Sequence, residues 1–104
     1  MENKSKANTF IGFVIRARKF RIGMNAVQTL KSINLLIVCN SASDNTQAEA
    51  LKVANKYHCP LIMTKEAKLE DITHRENAKI MAVADKALAK AILDNIENDF
   101  IVKN

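Results

Sequence analysis

Four cationic side chains fall within six residues: Arg16, Arg18, Lys19 and Arg21. Gly23, Met24 and Asn25 follow at once and open an apolar-periodic run. The chemistry such a stretch offers is recognition of phosphate. A helix N-terminus presents free N–H groups at the positive end of its dipole, and fixed cations beside it add to the attraction. Gly23 allows a tight turn and the close approach of a backbone or ligand. Asn25, in the first turn of the following helix, would either bond a local backbone group or reach a base edge or phosphate. Cations at the end of a preceding helix also complement its dipole, but at about 0.3–1 kcal/mol each that effect does not require four of them. The stretch is therefore read as the mouth of an RNA-binding surface. Arg16, Arg18, Lys19, Arg21 and Lys31 would lie on phosphates, with Gly23, Met24 and Asn25 at the groove.

Catalytic and metal chemistry finds little purchase. His58 and His74 are far apart, and neither lies in a ligand or base–nucleophile pattern. There is no HExxH, paired CxxC or GxSxG. Glu70-Asp71 reads as a solvated acidic pair on a short surface helix. The polar segment Asn40 to Thr46 follows a strand but has neither glycine nor lysine, so it is a poor phosphate loop. No cofactor and no enzymatic activity are expected. With four Phe, one Tyr and no Trp, mostly at apolar-periodic positions, an aromatic stacking platform is also disfavoured. Recognition of a shaped RNA, without DNA sequence readout, fits the residues better.

The charge distribution agrees. The chain of 104 residues carries a net charge of +5. From Asn3 to Ser43 there are seven basic residues and no acid, whereas Asp44 to Asn104 holds nine basic and ten acidic residues. The excess belongs to the first two-fifths, as expected of a surface facing a polyanion. Two cysteines without motif spacing suggest a reducing compartment. Cys39 closes one candidate strand and Cys59 precedes another, so parallel pairing of those strands would put the thiols at opposite edges of the sheet, too far apart for a disulfide. No apolar run approaches the ~20 residues needed to span a bilayer, and the polar N-terminus does not resemble a signal peptide. The expected place is the cytoplasm, and the expected state a monomer.

The length suits one domain with a real core. Residues 1–6 and 98–104 read as frayed tails, although the apolar Phe100-Ile101-Val102 could cover a sheet edge or pack on a partner. A first helix should begin near Asn8 or Thr9 and turn Phe10, Phe13, Val14 and Ala17 inward. Phe20-Arg21-Ile22 alternates as a short half-exposed strand. A second helix follows, with Ala26, Val27 and Leu30 inward. Ile33 to Cys39 is a buried central strand. Asp44 with Gln47 suggests a capping box for a third helix to about Lys56. Pro60 opens the strand Leu61-Ile62-Met63. Thr64 would cap a short helix reaching Ile72, a polar loop runs to Ala78, and Ile80 to Ala84 is a further strand. Asp85 caps a last helix that turns Leu88, Ala91, Ile92 and Ile96 inward. The alternation predicts a three-layer α/β/α sandwich with a small mixed four-stranded sheet and a parallel crossover from Leu35 to Met63.

Several pieces recur in a shared order. They are Gly12 followed by Arg16-Ala17-Arg18-Lys19 and Gly23; Ala42-Ser43 with Asn45-Thr46 after the central strand; and Leu69 followed by Ala82-Val83 and Asp85. Across about Ile11 to Leu93 the chain resembles the bacterial YlxQ-type proteins of the ribosomal L-seven-Ae kink-turn-binding superfamily. The resemblance implies an α/β/α sandwich without catalytic activity that binds structured RNA, such as ribosomal RNA. In kink-turn readers a Gly-x-Asn-Glu segment at the second helix enters the RNA groove with a following lysine, and a later apolar loop touches an extruded base. Gly23 and Asn25 match that pattern, while Ala26 stands at the glutamate position and Thr29 at the lysine position. The loop from Ile72 to Ala78 would supply Ile72, His74 and Arg75.

Overall fold

The computed structural model describes residues 6–96 and 99–104. Helices and strands alternate along the chain: α1 (Lys6–Ala17), β1 (Phe20–Ile22), α2 (Met24–Val27), β2 (Leu35–Val38), α3 (Asp44–Tyr57), β3 (Leu61–Thr64), α4 (Leu69–Thr73), β4 (Ile80–Val83), α5 (Lys86–Leu93) and β5 (Phe100–Val102). The strands form one sheet in the order β1-β4-β2-β3-β5, with β2 and β3 parallel and the other pairs antiparallel.

Period-two alternation sorts the strand residues between two cores. Leu35 and Ile37 of β2, with Met81 and Val83 of β4, face the side covered by α1, α4 and α5. Leu36 and Val38, with Ile80 and Ala82, face the side covered by α2 and α3. All four residues of β2 and all four of β4 are buried. That is why these strands read as unbroken apolar runs. The result is the expected α/β/α sandwich, with helices on both faces of a mixed sheet.

The sheet has five strands rather than four. Residues 99–104 are not a frayed tail: β5 pairs with β3, setting Phe100 opposite Thr64 and Val102 opposite Ile62. Phe100 is buried in the α1-side core. Beyond the strand, the Lys103 N–H donates to the Leu61 carbonyl at 2.8 Å. The Asn104 side chain then accepts from the Leu61 N–H at 2.9 Å and donates to the Cys59 carbonyl at 3.1 Å, extending the ladder through an amide that imitates backbone. Of the expected N-terminal tail, Lys6 already belongs to α1 and residues 1–5 lie outside the described region, as does Asn98.

Local details also depart from the sequence reading. The buried stripe of α1 is Ala7, Ile11 and Val14. Phe10 is only partly covered, while Phe13 and Ala17 are exposed. Small and β-branched residues let α1 approach Ala89 and Ile92 of α5, and the two rings remain near the surface in an edge-to-face contact at 5.9 Å. At α3 the cap is Ser43, whose hydroxyl accepts from the Thr46 N–H at 3.1 Å; Asp44 is the first helical residue. Thr64 caps nothing. It is buried in β3, where its hydroxyl accepts from the Asn40 N–H at 2.9 Å, and Lys68 precedes α4 instead. Asp85 caps α5 as expected, accepting from the Leu88 N–H at 2.8 Å.

The burial of Phe100 gives a direct test of the fifth strand. Phe100→Ala is expected to lower the unfolding free energy by about 3–5 kcal/mol through loss of buried surface and the cavity left behind. Val102→Ala, on a residue 51% exposed, should cost under about 1 kcal/mol. Urea titration of the two variants makes the comparison.

Candidate nucleic-acid interface

The basic stretch is built around β1, an edge strand of three residues. Phe20 and Ile22 pack on the α1-side core, and Arg21 projects from the other side of the strand into solvent. The strand is clamped at each end. At its entry the Lys19 N–H donates to the Val14 carbonyl at 3.1 Å, and the Lys19 carbonyl accepts from the Ala84 N–H at 2.8 Å. At its exit the Gly23 N–H donates to the Ile80 carbonyl at 3.0 Å. Gly23 has φ 98, a conformation that side-chain-bearing residues rarely adopt. The backbone is thus fixed while the Arg18, Lys19 and Arg21 side chains remain exposed.

Arg18 makes the turn from α1 into β1. It has φ 59 and its N–H donates to the Ile15 carbonyl at 3.1 Å. This left-handed position after a helix is the one glycine or asparagine usually takes, and an arginine there is strained. Arg16 lies two residues back on α1, its guanidinium 5.7 Å from the Phe13 ring centre.

The cations do not gather around a single helix mouth. Arg16, Arg18 and Lys19 stand at the entry to β1, whereas Gly23, Met24 and Asn25 stand at its exit, about 10 Å away for three extended residues. The α2 helix has only four residues and no side-chain cap, so its dipole is small. Lys31 is exposed in the segment after α2, which returns to the entry end, where the Asn34 N–H donates to the Val83 carbonyl at 3.0 Å. Arg16, Arg18, Lys19 and Arg21 thus form a row in chain order along the β1 edge, while the Lys31 segment leads into β2, with β4 between.

The loop between α4 and β4 joins this row through one residue. Arg75 places its guanidinium 5.1 Å from the Phe20 ring centre, a contact that fixes a cation against β1. His74 ends α4 in the left-handed conformation, φ 59, with an exposed side chain. Ile72 does not join them. It packs partly against the α1-side core and lines a small cavity of about 120 Å³ with Asn8, Glu66 and Asp99, toward the β5 edge.

The ion pairs among the described residues are Lys79–Glu70 and Lys90–Asp94. Neither draws on Arg16, Arg18, Lys19, Arg21, Lys31 or Arg75, so no described carboxylate neutralises the row. Glu70 is not the merely solvated acid expected from the sequence. Its carboxylate accepts from Lys79 Nζ at 3.1 Å and from the Asn77 N–H at 2.8 Å, and these bonds hold its pKa below the usual carboxylate value. Lys79 also donates to the Ser41 hydroxyl at 2.9 Å. Nothing in the spacing of Ser41, Glu70, Asn77 and Lys79 announces this cluster; the only available hint is an acid in the first turn of a short helix.

The cysteines are both buried and free. Cys39 follows the end of β2 and Cys59 precedes the start of β3, so the parallel pairing sets them at opposite ends of the two strands. Burial pushes the Cys59 thiol up to about 11. At Cys39 burial acts in the same direction but is outweighed by hydrogen bonds from Ser41, Leu69 and Thr64, and the net shift is downward. Among the described residues, no group of three His, Cys, Asp or Glu is placed to hold a metal ion, and no helix is long and apolar enough to cross a membrane.

No protein-family model matches the chain. No curated protein matches it either. Among solved structures, a Bacillus halodurans protein of unknown function is similar in fold, with a TM-score of 0.77 and 20% identity over 91% of this chain and 100% of that one. At that identity the likeness extends to the fold alone.

The strained turn offers a test of whether Arg18 is kept for its side chain. Arg18→Gly relieves the left-handed penalty at some entropic cost in the unfolded chain, and is expected to stabilise the protein by about 0.5–1 kcal/mol. A higher melting temperature for Arg18→Gly is the expected result, read by thermal unfolding.

Proposed function

We propose that the chain is a non-enzymatic binder of structured RNA, such as ribosomal RNA, and that the β1 edge is its contact surface. The observation that carries this reading is the row of exposed cations without carboxylate partners among the described residues: Arg16, Arg18, Lys19, Arg21 and, by way of Phe20, Arg75. Clamped backbone beneath exposed cationic tips suits phosphate contacts, which position a ligand without reading sequence. Gly23 and Asn25 at the strand exit, together with the resemblance to kink-turn-binding proteins, support a folded RNA as the target. Ala26 and Thr29 in place of that family's glutamate and lysine imply a contact resting more on phosphate than on base edges. Such a role requires no cofactor and suits the cytoplasm.

A second reading, a protein-interaction module on the same fold, is favoured by one observation. At the opposite edge of the sheet, β5 leaves Ile101 and Val102 40% and 51% exposed. Capture of protein partners that survives nuclease treatment would favour it over the RNA reading.

The RNA reading predicts steep salt dependence. The logarithm of the affinity should fall with the logarithm of salt by about 0.7–0.9 per neutralised phosphate. Filter binding to ribosomal RNA across a salt series is expected to show weaker binding and a flatter slope for Arg18→Ala/Lys19→Ala. Equal affinity in wild type and double variant would assign the surface elsewhere.

A further inference from the structure

The loop joining α4 to β4 is held from two sides. On one side Glu70 uses both carboxylate oxygens: Oε2 accepts from the Asn77 N–H at 2.8 Å and Oε1 from Lys79 Nζ at 3.1 Å. Lys79 Nζ is in turn 2.9 Å from Ser41 Oγ, which ties the loop to the segment after β2. On the other side Arg75 lies over the Phe20 ring at 5.1 Å. Between these anchors His74 and Asn77 both occupy the left-handed region, with φ 59 and 60. Asparagine and histidine enter this region more readily than most side-chain-bearing residues, at a cost that surrounding contacts offset. Glu70 makes one of those contacts, at the Asn77 N–H, and fastens the end of the loop through Lys79.

We propose that Glu70 is a positioning residue for RNA binding: by gripping Asn77 and Lys79 it sets the loop so that Arg75 lies against Phe20 of β1, the strand that carries Arg21 and follows Arg18 and Lys19. The inference rests on the reading of the β1 edge as an RNA surface. It goes further by making an acid, the charge that RNA repels, a requirement for tight binding. The sign of the effect separates positioning from electrostatics. Removing Glu70 changes the formal net charge from +5 to +6, so electrostatics alone would tighten binding. Loss of the grip frees the loop and weakens it.

The experiment compares wild type, Glu70→Ala, Glu70→Gln and Glu49→Ala. Glu49 is exposed on α3, in the other helical layer, and its replacement makes the same charge change. Amide hydrogen exchange of residues 74–79 is measured in the free protein, and affinity for ribosomal RNA at one fixed salt concentration. Glu70→Ala is expected to speed exchange in the loop by roughly tenfold and to bind RNA at least about fivefold more weakly than Glu49→Ala. Glu70→Gln keeps an acceptor for the Asn77 N–H and should fall between; it carries the test if Glu70→Ala does not fold. Unchanged loop exchange, or binding as tight as that of Glu49→Ala, overturns the inference while leaving the RNA surface standing. Absence of RNA binding by the wild-type protein overturns the surface and the inference together.

Discussion

The pairing of β1 with β4 is the constraint on which the rest depends. A strand of three residues has almost no stability of its own. It persists because Phe20 and Ile22 bury against the α1-side core and because β4 offers a fully buried, two-faced ladder to pair with. The bonds at Lys19 and Gly23 finish the attachment at both ends. Everything proposed about the basic face follows from this arrangement. The side chains of Arg18, Lys19 and Arg21 project from a backbone that cannot move independently of the sheet. Arg75 reaches the same strand because the loop carrying it leads directly into β4.

The two faces of the sheet are covered unequally. On one side α1, α4 and α5 form a layer in which α1 lies against both partners, and the buried stripe of α1 is narrow and mostly small or branched. On the other side the 14 residues of α3 and the single turn of α2 share the work. The short α2 cannot act as a strong dipole. A proposed anion surface on this fold must draw its potential from side-chain charges, spread along an edge. Such charges suit an extended phosphate backbone better than a single phosphate group.

The buried centre was legible in the sequence because its signals are local. The apolar run through β2, the Pro60 break, the Gly23 turn and the Asp85 cap each arise within a few residues. The edge at β5 was not, because Phe100-Ile101-Val102 has no pattern to distinguish it from a loose tail until β3 is placed beside it. The face of α1 was misread by weight: Phe10 and Phe13 suggest burial by their size, but close helix packing favoured Ala7, Ile11 and Val14. The grouping of cations was half legible. Their number and freedom from nearby acids could be read, but their row-like spacing could not, since it depends on which end of β1 each neighbour meets. The contacts of Glu70 left only the hint of an acid in the first turn of a short helix, because hydrogen bonds to Asn77 and Lys79 leave no trace in composition.

The register of β1 against β4 also has a consequence in time. Phe20 finds its partner at Val83, more than half the chain away. During synthesis the basic segment emerges early and waits for the strand that will order it. Until then it is a flexible cationic stretch attached to a partial fold, because long-range pairing must await both participants. The ordered edge comes into being only once β4 has emerged. A nascent chain would therefore present these cations first on a loose tether and only later on an ordered strand.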